Sequence, residues 1–199
     1  MYDNSGQRLF IFNISDHKRV VLTDNYVSTS GTTGALIACE AVLYKNYILA
    51  ANQNNDFVII NKNRIDQGPI HTLEVPGEIQ SINYQNELVF ITTTNSNLYI
   101  YDFSNIMQPV MLSFYDTKNI GDYIMIQNNT IYVSIRFNGV ERIDITQPEK
   151  PVHKAYVRTP GAARKLLADQ DFIYVADHYG VQLIDTSKIS SSGVLSQIN

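Results

Sequence analysis

The stretch NGVERIDITQPEKPV, residues 138–152, reads as a turn, a short strand, a second turn and the start of another strand. Forty-one residues on, YGVQLIDTSK (179–188) opens the same way, with Gly180, Val181, Ile184 and Asp185 matching Gly139, Val140, Ile143 and Asp144. A phrase spelled twice at a fixed offset is the mark of a structural repeat. Two further series carry it along the chain. Strands of this type end at Asn13, Asn61, Asp102, Asp144 and Asp185, at steps of 48, 41, 42 and 41 residues. Their neighbours YILAA, LVFIT, IYVSI and IYVAD begin at Tyr47, Leu88, Ile131 and Ile173, at steps of 41, 43 and 42.

Each repeat holds four short runs rich in Ile, Val, Tyr and Phe, bounded by Asn, Asp, Gly and Pro. Such runs at spacings near ten residues are strands. In the fourth repeat they are DYIMIQ, TIYVSIRF, GVERIDIT and PVHKAYV. Asn138-Gly139 fits a two-residue hairpin turn with φ > 0 at both positions. That turn sets Arg136 opposite Glu141, a cross-strand ion pair of about 0.2–1 kcal/mol.

A four-stranded antiparallel meander repeated every forty-odd residues predicts a β-propeller, whose blades cover one another's faces. The predicted fold is all-β, with four full blades and an N-terminal half-blade, about five in all, in a ring that is incomplete or open. Counting strands A to D from axis to rim, the boundaries are a C–D half-blade at 1–30 and blades at 31–76, 77–117, 118–159 and 160–199. The first half-blade, QRLFIFNIS and RVVLTDN, lacks an inner hairpin, and the fifth D strand, GVLSQIN, closes the sequence. An excised part of a longer propeller is one explanation; a ring with one blade lacking its inner hairpin is the other. The bare edge of the half-blade invites self-association.

The repeats resemble the LVIVD repeat, a family of β-propeller repeats. The resemblance rests on IYVADHYGVQLIDTS (173–187), GVERIDITQPEKPV (139–152) and TPGAARKL (159–166), and more distantly on NLYIYDFSNIMQPV (97–110). It fades in the first two repeats, where the hairpin glycine is absent and Asn13 and Asn61 replace aspartate. It implies a binding or scaffold module, often within a larger secreted or surface protein, and brings no catalytic motif.

Composition narrows the function classes. The 199 residues are 44% apolar, and 15 Lys and Arg against 19 Asp and Glu give a net charge of −4, with the cations scattered. No electrostatic footprint for nucleic acid follows. No apolar run is long enough to span a bilayer, and MYDNSGQRLF has no signal-peptide pattern. The sequence alone therefore leaves two compartments: cytoplasmic, or extracellular if the chain is cut from a larger exported polypeptide. The single cysteine, Cys39, forms no intrachain disulfide and reads as a buried small hydrophobe. Two glycosylation sequons, at Asn13 and Asn128, fall at turns and do not establish secretion.

Titratable residues offer little chemistry. Asp102, Asp144 and Asp185 are each followed two residues later by Ser104, Thr146 or Ser187, the pattern of a local turn in which the carboxylate accepts backbone N–H groups. His17, His71, His153 and His178 fall in different repeats with no metal-ligand spacing, so no cofactor or metal is predicted. Gly34, Gly77, Gly121 and Gly161 stand before the innermost strands, where chains crowd. Loops 27–34, 76–78, 117–121 and 158–162, with hairpins carrying Asn54, Asn55, Asn97, His178 and Tyr179, share one end of the sheets. Candidate ligand contacts there are Glu78, Asp122, Lys118, Arg158, Arg164, His178 and Tyr179. The expected function is a non-enzymatic module binding a protein or carbohydrate partner. The alternative is a propeller hydrolase pairing inner-strand acids drawn from Glu40, Glu78 and Asp122.

Overall fold

The computed structural model describes residues 8–13, 21–27, 41–51, 56–169 and 171–189. Every sheet is antiparallel, and the described residues form no α-helix. Contacts divide the chain into two compact units, Met1–Val75 and Pro76–Asn199. Cys39, Glu40, His17, Gly34, Asn54, Asn55, the 27–34 loop beyond Val27 and the GVLSQIN strand lie outside the described residues.

The first unit holds the hairpin β1 (Arg8–Asn13) and β2 (Val21–Val27), with a register irregularity between Ile11 and Phe12. It also holds a meander of β3 (Ala41–Tyr44), β4 (Tyr47–Ala51), β5 (Asp56–Asn61) and β6 (Pro69–Glu74). A 3₁₀ turn, Ile65–Gln67, joins the last two. Ile48, Ala50, Val58, Ile60 and Ile65 pack as one cluster. The residues between them, Leu49, Phe57 and Ile59, are buried on the opposite face.

The described residues of the second unit form three sheets. The first runs β7 (Ile79–Gln85), β8 (Leu88–Thr93), β9 (Asn97–Asp102) and β10 (Val110–Asp116). The next runs β11 (Tyr123–Gln127), β12 (Thr130–Ser134), β13 (Val140–Asp144) and β14 (Val152–Val157). The third has β15 (Lys165–Asp169), β16 (Phe172–Asp177) and β17 (Gly180–Asp185), followed by a 3₁₀ turn at Thr186–Lys188. Each pairs strands in sequence order, which makes every connection a short one between neighbours.

The middle sheet explains why its strands read as unbroken apolar runs. Successive side chains of a strand point to opposite faces, and both faces here are buried. Ile124, Ile131, Val133, Ile143 and Ile145 pack on Phe90, Leu98 and Ile100 of the preceding sheet. Met125, Tyr132, Val140, Ala155 and Val157 pack on Leu166, Ile173, Val175 and Ile184 of the following one. At roughly 1.5–3 kcal/mol per fully buried aliphatic or aromatic side chain, these two seams are the main favourable term holding the unit together.

Polar bonds fix how the sheets sit on one another. Ile124 N donates to Ser81 Oγ at 3.2 Å and Asn83 Nδ2 donates to Ile124 O at 2.9 Å, linking β7 to β11. Ser134 Oγ donates to Arg164 O at 3.0 Å, and Ala163 N donates to Arg136 O at 2.9 Å, linking the middle sheet to the approach of β15. The first strands of the three sheets are therefore neighbours, with β11 between β7 and β15.

Strand ends use the turn chemistry read from the sequence. Asp102, Asp144 and Asp185 accept the backbone N–H of Ser104, Thr146 and Ser187 at 2.7, 2.8 and 3.0 Å. Asn61 does the same for Asn63 at 2.9 Å. The hydroxyl and backbone N–H of Thr146, with Lys154, lower the Asp144 carboxyl to about 2. The hairpin of the opening stretch departs from its sequence reading. Glu141 pairs with Val133 and Val140 with Ser134, so the connection spans Ile135 to Gly139, closed by Ile135 N to Gly139 O at 2.8 Å. Arg136 does not face Glu141. It takes φ 52°, which sends its side chain to Asp122.

The duplicated glycines differ in how much they constrain the chain. Gly139 has φ +83°, and a Cβ there would run into the carbonyl oxygen of Val157 and the backbone of Arg158 and Thr159. Gly180 has φ +143° with open space around it. Gly180→Ala should therefore cost only the backbone term, about 1–2 kcal/mol, and Gly139→Ala distinctly more. Urea unfolding of the two variants side by side checks the order; equal losses would contradict it.

Candidate functional site

The predicted site residues of the second unit fall at one end of its sheets, and the structure gathers some of them into bonded groups. Asp122, one residue before β11, has a nearly buried carboxylate. Its Oδ1 accepts from Arg136 Nε at 2.8 Å and its Oδ2 from Arg164 Nη1 at 2.7 Å. Arg136 sits in the β12–β13 hairpin and Arg164 in the approach to β15, so one carboxylate ties together three segments from two sheets. Such charge-assisted bonds are short and strong. The Arg164 side chain nonetheless remains mostly exposed. Arg136 was not among the residues picked from the sequence, because the assumed turn spent it on Glu141.

A second group forms around Asp177. Its Oδ2 accepts from Gly161 N at 2.9 Å and its Oδ1 from Tyr179 N at 2.8 Å, pinning the β16–β17 hairpin to the 158–162 loop. Burial alone would raise this carboxyl, but those backbone N–H groups outweigh it and hold it below the usual range. Gly161 is close-packed for the same reason: a Cβ there would meet His178 N and the Tyr179 ring at 2.9 Å. The His178 and Tyr179 rings stand edge-on with centroids 5.9 Å apart.

The other predicted residues are placed less tightly. Lys118 pairs with Asp116 at 3.1 Å, both exposed. Such a pair contributes little. Arg158 is exposed beside the β12–β13 hairpin, and Glu78 is exposed with its backbone N–H donating to Thr94 Oγ1 at 3.0 Å. Phe137, in the same hairpin as Arg136, and Tyr179 are the two most exposed large hydrophobic side chains among the described residues. Sequence reasoning missed Phe137. The signal was available, because an aromatic directly before Asn138-Gly139 falls at a hairpin tip.

Between the first two sheets of the second unit lies a cluster that the sequence did not suggest. Glu141 is fully buried, and its Oε1 accepts from Tyr115 Oη at 2.6 Å and stands 3.0 Å from His153 Nδ1, which donates in the Nδ1–H tautomer. The His153 ring stacks on Tyr156 with centroids 4.3 Å apart. Burial pushes the Glu141 carboxyl up, and hydrogen bonds from Tyr115, His153 and Tyr156 oppose this without cancelling it. Burial and the nearby carboxylate also raise both phenols, Tyr156 to about 12.

Elsewhere, a shallow pocket of about 330 Å³ on the first unit is lined by Ala41, Val42, Leu43, Ile48, Lys62 and Asn63. It has few polar groups converging on a common point. Among the described residues, no group of three or more His, Cys, Asp or Glu side chains is arranged to hold a metal ion. No helix among them is long and apolar enough to cross a membrane.

No family model matches the sequence, and no curated protein matches it. Solved structures do show likeness. The computationally designed Ika8 protein aligns with a TM-score of 0.58 at 10% identity, over 73% of this chain and 45% of that one. The computationally designed Ika4 protein aligns with a TM-score of 0.58 at 11% identity, over 79% and 95%. KlHsv2 with loop 6CD replaced by a Gly-Ser linker aligns with a TM-score of 0.62 at 11% identity, over 91% and 57%. The chain thus spans less than half the length of Ika8 and under two thirds of KlHsv2. At these identities the likeness concerns the fold alone.

The buried carboxyl gives a signed pH dependence. A raised folded-state pKa means that Glu141 supports the fold fully below its ordinary value of 4.5 and loses that support as pH rises through the folded value. Glu141→Gln keeps an acceptor for Tyr115 and His153 but cannot ionise. Its stability relative to the parent should therefore climb between pH 4 and neutrality in urea titrations. A difference that stays flat over that range would be inconsistent with a raised pKa.

Proposed function

We propose that this chain is a β-propeller module, one ring or part of one, that binds a protein partner on the hairpin ends of its blades and carries out no catalysis. The propeller reading is supported by the forty-odd-residue repeat, the LVIVD resemblance, and three successive sheets that pack face to face with their first strands side by side. The ring would hold about five blades.

One observation carries the binding reading: exposed aromatics and arginines share one end of the second unit. Phe137, Tyr179, Arg158 and Arg164 stand there on short loops and hairpins, with Arg164 oriented by Asp122. Aromatic residues and arginine are the types enriched where protein partners gain most of their affinity. A guanidinium already held in place loses less freedom when it docks. Both oxygens of Asp122 are engaged by arginines, an arrangement better suited to a structural anchor than to a proton-transfer group.

Peptide and glycan arrays probed with the labelled chain test this reading, with a Phe137→Ser/Tyr179→Ser double variant as the comparison. Peptide features should lose about tenfold or more in binding, a hot-spot-sized loss, while the melting curve stays in place. Glycan features with the same dependence would move the partner to the carbohydrate class. Binding that survives the double variant would exclude this face.

A further inference from the structure

Glu141 stands at a position where the repeat does not require an ionisable group. Counted back three residues from the strand-ending Asn61, Asp102, Asp144 and Asp185, the equivalent positions hold Val58, Tyr99, Glu141 and Gln182. Val58 and Tyr99 are buried, as Glu141 is. Across the ladder Glu141 pairs with Tyr156, and Tyr99 with Phe114. The first sheet of the second unit thus fills the equivalent corner with two rings, 6.3 Å apart, and no carboxyl. Burying a carboxyl carries a cost that valine or tyrosine avoids, so packing alone does not account for this glutamate.

Its surroundings are those of a fastening between two sheets. On the inner side of the seam, Ser81 and Asn83 bond to the backbone of Ile124. On the outer side, Tyr115 Oη donates to Glu141 Oε1 at 2.6 Å, and Ser113 Oγ donates to Pro148 O at 2.6 Å. Both outer bonds come from β10, which ends its sheet and pairs there with β9 alone. Tyr115 and Tyr156 also pack against the apolar cluster of this seam. Of these four bonds, only the one to Glu141 ends on an acceptor that can ionise.

We propose that Glu141 is a proton-operated latch for β10. With the carboxyl protonated, the strand stays docked on the middle sheet. With it ionised, the carboxylate draws water into the outer half of the seam and β10 detaches locally, while the inner bonds keep the two sheets together. The titratable groups facing Glu141 are Tyr115 from β10 and His153 and Tyr156 from β14, with Asp116 at the end of β10 acting on both phenols. Hydrogen bonds from the three facing groups favour the carboxylate, but burial outweighs them. A carboxyl raised above 4.5 keeps β10 fully docked below that value and releases it as pH rises through the higher folded-state value. Opening confined to one end strand takes less free energy than unfolding the unit, so the latch acts while the rest of the fold stays intact. It lies inside a seam between two sheets of one unit and holds whether or not the hairpin ends bind a partner.

Hydrogen exchange read by mass spectrometry, with protection factors compared strand by strand from about pH 4 to neutrality, tests the proposal. Protection of Val110–Asp116 should fall several-fold over that range, while β12 and β16 hold theirs. Glu141→Gln should make the β10 protection independent of pH. Glu141→Val, which installs the residue found at Val58, should do the same and serves should the glutamine variant fold poorly. Tyr115→Phe removes a bond that favours the carboxylate, so its β10 should loosen more steeply with pH than the parent's. A β10 whose protection changes no more than that of β12 and β16 overturns the proposal, as does an equal loss in all strands, which is global unfolding. A pH dependence that survives in Glu141→Gln and Glu141→Val overturns it too.

Discussion

A sheet with apolar side chains on both faces cannot stand alone in water, and most of this molecule follows from that constraint. The middle sheet of the second unit is the clearest case. Ile131 and Val133 enter one seam while Tyr132, between them, enters the other. Neither seam can be given up without exposing several large side chains at once. The strands can stay short, at five or six residues in that sheet, because stability comes from stacking across seams rather than from the length of any ladder. The same constraint sets the connections: a meander leaves both faces free for neighbours, which a crossover would obstruct.

Polar groups inside the seams decide register more than they add strength. Ser81, Asn83 and Ser134 sit near the first strands, where each reaches the backbone of the adjoining sheet. A slip by one residue would strand these groups unpaired, at about 1–3 kcal/mol apiece. Glu141 is the costly member of the set. It joins adjacent sheets through Tyr115, yet its burial favours the protonated form. A methionine or leucine there would avoid burying a carboxyl but would leave the Tyr115 hydroxyl without its acceptor. The glutamate instead makes the seam sensitive to pH.

What could be read from the sequence was whatever repeats. Strand placement, the antiparallel meanders and the Asp-x-Ser/Thr turns were legible because each recurs at a fixed interval and has a local cause. The fate of Glu141 was not, and the reason is specific. Asn138-Gly139 invites a two-residue turn, whereas the chain closes the hairpin from Ile135 to Gly139 with Arg136 in the left-handed region. That change of register puts Glu141 opposite Val133, inside a seam. No local pattern predicts this, since Glu141 lies between Val140 and Arg142 in a strand whose polarity does not alternate cleanly. Its main partner, Tyr115, lies 26 residues away in another sheet. Of the site residues, Asp122 and Arg164 were found individually, but their joining through Arg136 depends on that same turn.

That turn also links the core to the exposed end. Because Arg136 leaves the ladder, its guanidinium can share Asp122 with Arg164, and Phe137 is pushed outward at the hairpin tip. The backbone carbonyl of Arg136 accepts from Ala163 N, so the tip is fixed to the neighbouring sheet as well. Loops this short and this well bonded have little conformational freedom left to lose. An arginine and an aromatic presented on such a support are ordered before any partner arrives, which is the condition under which a small contact surface yields useful affinity. The rigidity of the proposed binding face is thus a consequence of the seams beneath it. Had the two-residue turn formed, Arg136 would have been spent on its own ladder and the carboxylate of Asp122 left with one cation instead of two.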